Sequence, residues 1–248
     1  MCFDHDSAPP IPAGEREVVT EDLVLTSEDG NQLMAFAAHG VERSPTAVVV
    51  LPDVRGLYVF YKDLARRFAE AGHDAIAIDY FGRSTDLGQR PDDWDFSPHV
   101  AKCTVEGVSA DVAAALARLR ADRSDRACFT VGFCFGGSHS WHQAANGHGL
   151  SGVVGFYGRP RRSGSDAVID RVGEMTCPVL ALMGGDDPGI PQEAVEEFEQ
   201  ALESAGVDHE VVVYPGAPHS FFDRKQARFA QESADAWGRV LSFIDAHS

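Results

Sequence analysis

Residues 131–137 read Val-Gly-Phe-Cys-Phe-Gly-Gly, and this stretch decides the fold. An apolar run at 127–131 leads into it, as expected of a buried strand, and residues 134–146 follow with helical spacing. Residues 132–136 match the pattern glycine, any residue, nucleophile, any residue, glycine, which places a nucleophile on a sharp turn between a strand and a helix. Side chains beside that turn would clash with the neighbouring strand and helix, so glycines are needed there. The stretch predicts that Cys134 is a nucleophile raised above a sheet.

Cys134 has an alternative interpretation as a small buried cysteine in a glycine-rich turn, since so short a pattern arises easily by chance. The strand before it and the helix after it favour the nucleophile. The turn also places the sulfur at the N-terminus of a helix, where the partial positive charge of the backbone favours a thiolate.

Outward from this stretch, short apolar runs alternate with amphipathic segments. Strands are predicted at residues 47–51, 75–78, 127–131, 152–156, 179–183 and 210–214. Helices are predicted at residues 58–71, 105–120, 134–146, 190–205 and 229–246. Residues 17–26 and 32–38 flank the turn signal Asp-Gly-Asn and predict a hairpin. The pattern predicts an α/β fold: a doubly wound, mostly parallel sheet with an N-terminal antiparallel hairpin and helices on both faces.

The chain has 248 residues, a length that α/β folds often use as one domain. Residues 1–14 are rich in proline and acidic residues and predict a flexible arm, so residues 15–248 predict a single domain. Cys2, His5 and Asp6 in the arm could be metal ligands, but no partner cluster follows, and a flexible terminus is favoured. Residues 80–98 predict a long loop, and the basic, glycine-rich residues 158–173 predict a surface loop that could lie near the mouth of a site.

The composition limits the class of partner. The formal net charge is −17, and an acidic surface repels phosphate backbones, which argues against nucleic acid. No apolar run approaches the roughly 18 residues of a membrane span, and the N-terminus lacks the basic and apolar regions of a signal peptide. The chain has five irregularly spaced cysteines and is too large to need a disulfide framework, which indicates reduced thiols. We therefore expect a cytoplasmic protein.

A cysteine nucleophile needs a base or an electropositive site, because a thiol with a reference pKa of about 8.5 is only slightly ionised at neutral pH. In hydrolases with this turn the chain order is nucleophile, acid, histidine. Asp186 and Asp187 follow the strand at 179–183 and compete for the acid role. His219 follows the strand at 210–214 and is the candidate base. Both segments lie at carboxyl ends of predicted strands, where open α/β sheets bind ligands.

An acyl-transfer intermediate carries an oxyanion, which two preorganised N–H groups must stabilise. One is expected from the backbone of Phe135, directly after the nucleophile. The other is expected from residues 52–56, in the loop after the first buried parallel strand.

These segments resemble the dienelactone hydrolase family, the carboxymethylenebutenolidases of the α/β-hydrolase superfamily. The matching segments span most of the chain from about residue 17 and occur in the family's order. They are LPDVRGL at 51–57, AIDYFGR at 77–83, VGFCFGG at 131–137, GFYG at 155–158, LMGGDD at 182–187 and YPGAPHSF at 214–221.

The resemblance implies a catalytic triad of Cys134, His219 and Asp187, and so selects the second of the two aspartates. Asp53 stands where the family has a glutamate that takes part in activating the thiol. Arg83 matches a family arginine that holds the substrate carboxylate.

The family's second arginine follows the catalytic histidine. In this chain Asp223 takes its position, and Arg224 comes one residue later.

We therefore expect an enzyme that hydrolyses a small ester or lactone, which could carry a carboxylate, through an acyl-thioester on Cys134. The N–H groups of Phe135 and Val54 would form the oxyanion hole, and Tyr157 and Phe221 would line the pocket. No metal and no organic cofactor is expected, and the protein is expected to be a monomer or a homodimer. The alternatives are a carboxylesterase or thioesterase of other substrates, and a non-catalytic ligand-binding or redox-sensing protein.

Overall fold

An eight-stranded sheet forms the centre of the computed structural model, which describes residues 7–11, 16–91, 93–161 and 167–248. The strand order is β1-β2-β4-β3-β5-β6-β7-β8. The strands are β1 Val18–Thr26, β2 Gln32–Gly40, β3 Thr46–Leu51, β4 Asp74–Ile78, β5 Ala127–Phe133, β6 Gly152–Phe156, β7 Val179–Gly184 and β8 His209–Tyr214.

The strand directions confirm the predicted sheet. β1 pairs antiparallel with β2, and β2 pairs antiparallel with β4. Every other neighbouring pair, from β4–β3 across to β7–β8, is parallel. The hairpin is therefore an antiparallel extension on one edge of a parallel sheet, and the carboxyl ends of the parallel strands share one edge.

Six α-helices and two 3₁₀ helices occur in the described residues. The α-helices are α1 Val59–Ala71, α2 Ser97–Val100, α3 Val105–Arg120, α4 Phe135–Gln143, α5 Gln192–Ala205 and α6 Ala230–Ala246, and the 3₁₀ helices are Tyr80–Arg83 and Val168–Glu174. In this part of the chain, no helix combines the length and the apolar character that crossing a bilayer requires.

Both faces of the sheet are covered, as predicted. Along β3, Val48 and Val50 point into an apolar cluster that includes side chains of α1, α5 and α6, whereas Val49 points into a second cluster that includes side chains of α3. All six residues of β3 are buried. A strand that is buried on both faces has to be apolar throughout, which explains the unbroken run at 47–51.

Three sequence predictions need correction. The loop predicted at 80–98 opens with the 3₁₀ helix Tyr80–Arg83 and runs into α2. The predicted helix at 134–146 begins one residue later and ends at Gln143. The loop predicted at 158–173 contains most of the 3₁₀ helix Val168–Glu174. Short helical turns lack a clear apolar period, so a pattern search does not find them.

The predicted arm, residues 1–14, lies largely outside the described residues. Residues 7–11 form neither helix nor strand. The cysteine, histidine and aspartate at positions 2, 5 and 6 fall outside the described residues.

Candidate active site

Cys134 occupies the turn between β5 and α4 in a backbone conformation that few residues adopt, with φ 55° and ψ −111°. Its N–H donates to the carbonyl oxygen of Phe156 in β6, at 3.0 Å. A side chain on Gly132 would overlap the backbone of Gly136, and one on Gly136 would overlap the backbone of Leu51. The glycines therefore let β5 and α4 approach closely. The strained backbone conformation of Cys134 places its side chain above the carboxyl edge of the sheet.

The His219 ring interacts with both Asp187 and Cys134. His219 follows β8, its Nδ1–H donates to Asp187 Oδ2 at 2.6 Å, and its ring interacts with the Cys134 side chain. Burial alone would lower the pKa of His219. The interactions with Asp187 and Cys134 outweigh burial and raise the pKa to about 10. The imidazolium is therefore the expected form at neutral pH.

Asp187, and not Asp186, is the aspartate that contacts the histidine. Asp187 is buried after β7, and its Oδ1 accepts from the N–H of Gly189 at 2.9 Å, which orients the carboxylate. Asp186 is exposed, and its backbone N–H donates to the carbonyl oxygen of Ala217. Of the two candidates that the sequence left open, the structure brings Asp187 to His219.

A cavity of about 250 Å³ lies over this cluster. It contains both predicted oxyanion-hole residues, Val54 and Phe135, and the predicted pocket residue Tyr157. Its lining is Val54, Phe96, Val100, Cys134, Phe135, Ser138, Tyr157, Arg159 and His219. Larger hollows of about 560 and 510 Å³ elsewhere contain no triad residue, so size alone does not identify the site.

Phe221 does not line this cavity, contrary to the prediction. Its side chain is fully buried, and its ring lies 5.6 Å from the ring of Tyr157 and 5.1 Å from that of Tyr214. Phe221 therefore packs beneath the cavity wall that Tyr157 forms.

Asp53 is turned away from the nucleophile. Its carboxylate is fully buried and accepts from Arg55 Nε at 3.0 Å and from Arg224 Nε at 3.0 Å. Burial raises the pKa of Asp53, but the charges of Arg55 and Arg224 outweigh burial and hold the pKa below its ordinary value. No hydrogen bond joins Asp53 to Cys134 in the described residues. The structure does not support direct activation of the thiol by this carboxylate.

Asp223, at the position of the family's second arginine, belongs to the same buried network. Its Oδ1 accepts from the hydroxyl of Tyr157 at 2.7 Å, and its Oδ2 accepts from Tyr61 at 2.8 Å and from Arg55 Nη2 at 3.3 Å. Burial, followed by the charge of Asp223, raises the pKa of Tyr157 well above its ordinary value, so the hydroxyl stays a donor. Asp223 thus anchors a wall of the cavity.

Arg83 is placed elsewhere, and the structure does not bring it to the cavity that Cys134 and His219 line. Its guanidinium donates to both oxygens of the buried Asp111, at 2.9 and 2.7 Å, and also pairs with Asp29. It is absent from the cavity lining. Its strand-end position suggested a ligand contact, but the 3₁₀ helix after β4 directs the side chain towards α3 and the hairpin turn.

Arg159 lines the cavity, although the sequence did not single it out. It lies three residues beyond the carboxyl end of β6, in the basic segment that was predicted near the mouth of a site. Its closeness to a parallel strand end was the available signal.

Among the described residues, no group of three or more histidine, cysteine, aspartate or glutamate side chains is arranged to hold a metal ion.

Comparison with known proteins agrees with the geometry. The family model described as "Dienelactone hydrolase family" matches residues 33–248. A Salmonella typhimurium protein described as "Putative carboxymethylenebutenolidase" is 34% identical over 240 residues, which cover 91% of this chain and 87% of that protein. A Bradyrhizobium protein described as "Probable 2-oxo-3-(5-oxofuran-2-ylidene)propanoate lactonase" is 30% identical, covering 93% of this chain and 96% of that protein.

Solved structures show the same architecture. The crystal structure titled "Putative Dienelactone Hydrolase" from Klebsiella pneumoniae superposes with a TM-score of 0.83 at 29% identity, and covers 92% of this chain and 99% of that one. An esterase from Pyrococcus furiosus, only 15% identical, superposes with a TM-score of 0.72 over 97% of each chain, which shows the shared α/β-hydrolase fold. The chain therefore belongs to the dienelactone hydrolase family and is a hydrolase on the α/β-hydrolase fold.

Proposed function

We propose that this enzyme hydrolyses a small ester or lactone through the triad of Cys134, His219 and Asp187, with an acyl-thioester intermediate. One observation carries the proposal: His219 is hydrogen-bonded to the buried Asp187 and interacts with the Cys134 side chain, in the lining of one cavity. A nucleophile, a base and an orienting acid in contact are the arrangement that covalent acyl transfer needs.

Because the pKa of His219 is raised, we expect its imidazole to be protonated before substrate binds. Cys134 attacks as a thiolate paired with the His219 imidazolium, which Asp187 stabilises through Nδ1–H. A thiolate attacks a carbonyl carbon far faster than a thiol does. Activation is therefore a property of the triad and does not require Asp53.

In the first step the Cys134 sulfur forms a bond to the carbonyl carbon, and the carbonyl oxygen becomes an oxyanion. The backbone N–H groups of Phe135 and Val54 are proposed to stabilise this charge. The C–O bond to the leaving group then breaks, and His219 donates its proton to the departing oxygen. An ester releases its alcohol, whereas a lactone keeps the new hydroxyl group attached to the acyl chain.

In the second step the neutral His219 removes a proton from water, and the water oxygen attacks the thioester carbonyl. Collapse of the second oxyanion breaks the C–S bond. The carboxylic acid leaves, and the thiolate and imidazolium are restored. Asp187 keeps the imidazole in one orientation through both steps.

The cavity supports a small, partly apolar acyl donor. Val54, Phe96, Val100 and Phe135 form apolar walls, and the volume of about 250 Å³ suits a compact substrate. Relatives described as carboxymethylenebutenolidases and as a lactonase of an unsaturated furanone point to the same size class.

The test is a panel of small aryl esters and dienelactone with the native enzyme and Cys134→Ala. The native enzyme should turn over at least one of these substrates, and Cys134→Ala should lose at least about 1,000-fold in kcat/KM. Turnover unchanged in Cys134→Ala would refute the mechanism. No turnover of any panel member, with Cys134 still selectively alkylated at neutral pH, would instead favour a redox-sensing thiol.

A further inference from the structure

We propose that Arg159 binds an anionic group of the substrate, a carboxylate, and so makes the enzyme selective for acyl donors that carry a negative charge. This inference rests on the proposed hydrolysis, and it assigns to Arg159 the contact that the sequence suggested for Arg83. The argument uses the position of Arg159, the charge around it and the pairing of the neighbouring arginines.

The backbone of Arg159 is fixed relative to the nucleophile. Its N–H donates to Ser138 Oγ at 2.8 Å, and that hydroxyl donates back to the carbonyl oxygen of Arg159 at 3.2 Å. Ser138 lies in the first turn of α4, four residues after Cys134, and also lines the cavity. Two reciprocal hydrogen bonds therefore set where the arginine side chain begins.

The guanidinium extends from there towards the loop that carries the catalytic acid. Its Nη2 lies 3.0 Å from where a Cβ would stand on Gly189, the residue whose N–H binds Asp187. A side chain at position 189 would crowd the guanidinium, and the glycine leaves room for it. Arg159 is thus placed at the rim of the cavity, between the nucleophile helix and the acid loop.

The Arg159 guanidinium forms no ion pair with a described residue, and a carboxylate near it is that of Asp187, whose Oδ1 lies 3.2 Å from the same Cβ position on Gly189. Arg159 is exposed, and within the described part of the chain no carboxylate lies within 4.0 Å of its guanidinium. The other basic residue of the lining, His219, already holds Asp187 and Cys134. A carboxylate entering the cavity would therefore meet one arginine able to form a two-point contact.

Arg83 and Arg224, the two arginines to which the family resemblance draws attention, already form ion pairs. Arg83 binds Asp29 and Asp111, and Arg224 binds Asp53. Using Arg83 for substrate would leave the buried Asp111 without its cation, which is costly, and using Arg224 would take away one of the two arginines that bind the buried Asp53. The chain carries a net charge of −17, which repels anions in general, so a local cation at the cavity rim has a large effect on which substrates enter.

Two matched esters test the proposal: monophenyl glutarate, which carries a carboxylate, and phenyl 5-methylhexanoate, in which an isopropyl group replaces it. The quantity is the ratio of kcat/KM for the charged ester to that for the neutral one. Arg159→Gln should lower this ratio by about tenfold, mainly through KM, and Arg159→Lys should restore part of it. Arg161→Gln is the control, because Arg161 pairs with Glu197 outside the cavity, and its ratio should stay within about twofold.

A second readout does not need ester hydrolysis. Iodoacetate and iodoacetamide have nearly the same shape, and each alkylates a thiolate by displacing iodide, but only iodoacetate is an anion. The ratio of their rates at Cys134 should fall about tenfold in Arg159→Gln and stay within about twofold in Arg161→Gln.

An alkylation ratio that is the same in the native enzyme and Arg159→Gln would overturn the proposal, whether or not esters are hydrolysed. A native enzyme that hydrolyses neither these two esters nor any member of the panel, but shows the change in alkylation ratio, would refute the hydrolysis and keep Arg159 as an anion-binding residue.

Discussion

At the scale of single residues, strain is concentrated around the triad. In the described residues, Cys134, Tyr157 and Ser220 are the non-glycine positions with positive φ, at 55°, 37° and 61°. Cys134 is the proposed nucleophile, Ser220 follows His219, and the ring of Tyr157 lies 5.0 Å from that of His219. Each such conformation costs about 1–3 kcal/mol and persists only where its surroundings enforce it. The fold is therefore less stable than it would be without these three strained loop conformations.

The paired aspartates allow a matched test of the catalytic acid. Asp187→Asn should lower kcat by about 100-fold or more, because His219 loses the carboxylate that orients its ring and stabilises its charge. Asp186→Asn changes the exposed side chain of the preceding residue in the same loop and should keep kcat within about twofold. Steady-state kinetics on one aryl ester checks both variants. A larger loss in Asp186→Asn would show that the acid is misassigned.

The proton on His219 predicts a pH dependence. Its pKa is raised to about 10, so the imidazolium that protonates the leaving group is present below that pH and is lost above it. Asp187→Asn removes the hydrogen bond that raises this pKa most, so the alkaline limb of kcat/KM should move to lower pH. The measurement is kcat/KM from about pH 6 to pH 11. A limb that stays in place, or moves to higher pH, would contradict the assignment.

At the scale of elements, the site is assembled from loops at the carboxyl edge of the sheet, and a buried ionic network joins three of them. Asp53 follows β3, Tyr157 follows β6 and Asp223 follows β8, and Arg55 contacts both aspartates. The network joins Asp53 and Asp223, the two positions at which the sequence differs from the family pattern, through Arg55. Each aspartate is paired with arginine or tyrosine donors that position the walls of the cavity.

The close contact between α4 and β3 gives a stability prediction. A Cβ on Gly136 would overlap the backbone carbonyls of Leu51 and Pro52, and backbone cannot move aside without disturbing the turn at Cys134. Gly136→Ala should therefore lower the free energy of unfolding by at least about 2 kcal/mol. Gly238→Ala is the control: this exposed position in α6 has open space around it, and alanine there should raise stability by up to about 1 kcal/mol.

Denaturant unfolding monitored by tryptophan fluorescence measures both glycine variants. Equal changes in Gly136→Ala and Gly238→Ala would show that the turn is less tightly packed than described.

At the scale of the whole molecule, the features that depend on a local sequence pattern could be predicted from the sequence. Apolar runs such as residues 47–51 and 179–183 identify buried strands, and chain order places Cys134, the acid loop and His219 at one edge. The contacts that it missed join distant positions. Arg224 and Asp53 are 171 residues apart, and nothing local shows that they pair.

Side-chain direction explains why Arg83 lies away from the cavity and why the sequence did not single out Arg159. Both arginines follow the carboxyl end of a parallel strand, so their positions in the sequence look equivalent. The 3₁₀ helix after β4 sends Arg83 to Asp111, whereas hydrogen bonds to Ser138 hold Arg159 at the cavity. Such differences depend on short irregular segments that have no sequence period.

The distribution of cysteines makes a prediction for the folded molecule. Cys103, Cys128 and Cys177 are buried, and burial raises the pKa of Cys128 and raises that of Cys177 to about 11. Iodoacetamide should therefore alkylate Cys134 at least about 100-fold faster than these three in the native protein, and all four at similar rates in guanidinium chloride.

Peptide mass spectrometry of timed samples measures each cysteine separately. Native-state labelling of Cys103, Cys128 or Cys177 as fast as Cys134 would contradict the packing.

The central claim is that Cys134 carries the acyl group. The direct measurement is capture of the intermediate with an aryl ester of a hindered acid, whose slow reaction with water lets the acyl-enzyme accumulate. After acid quenching, mass spectrometry should find the acyl mass on the peptide that contains Cys134, and hydroxylamine should remove it. Release of the phenol with no acyl group on Cys134, or with the acyl group on another residue, would contradict the account.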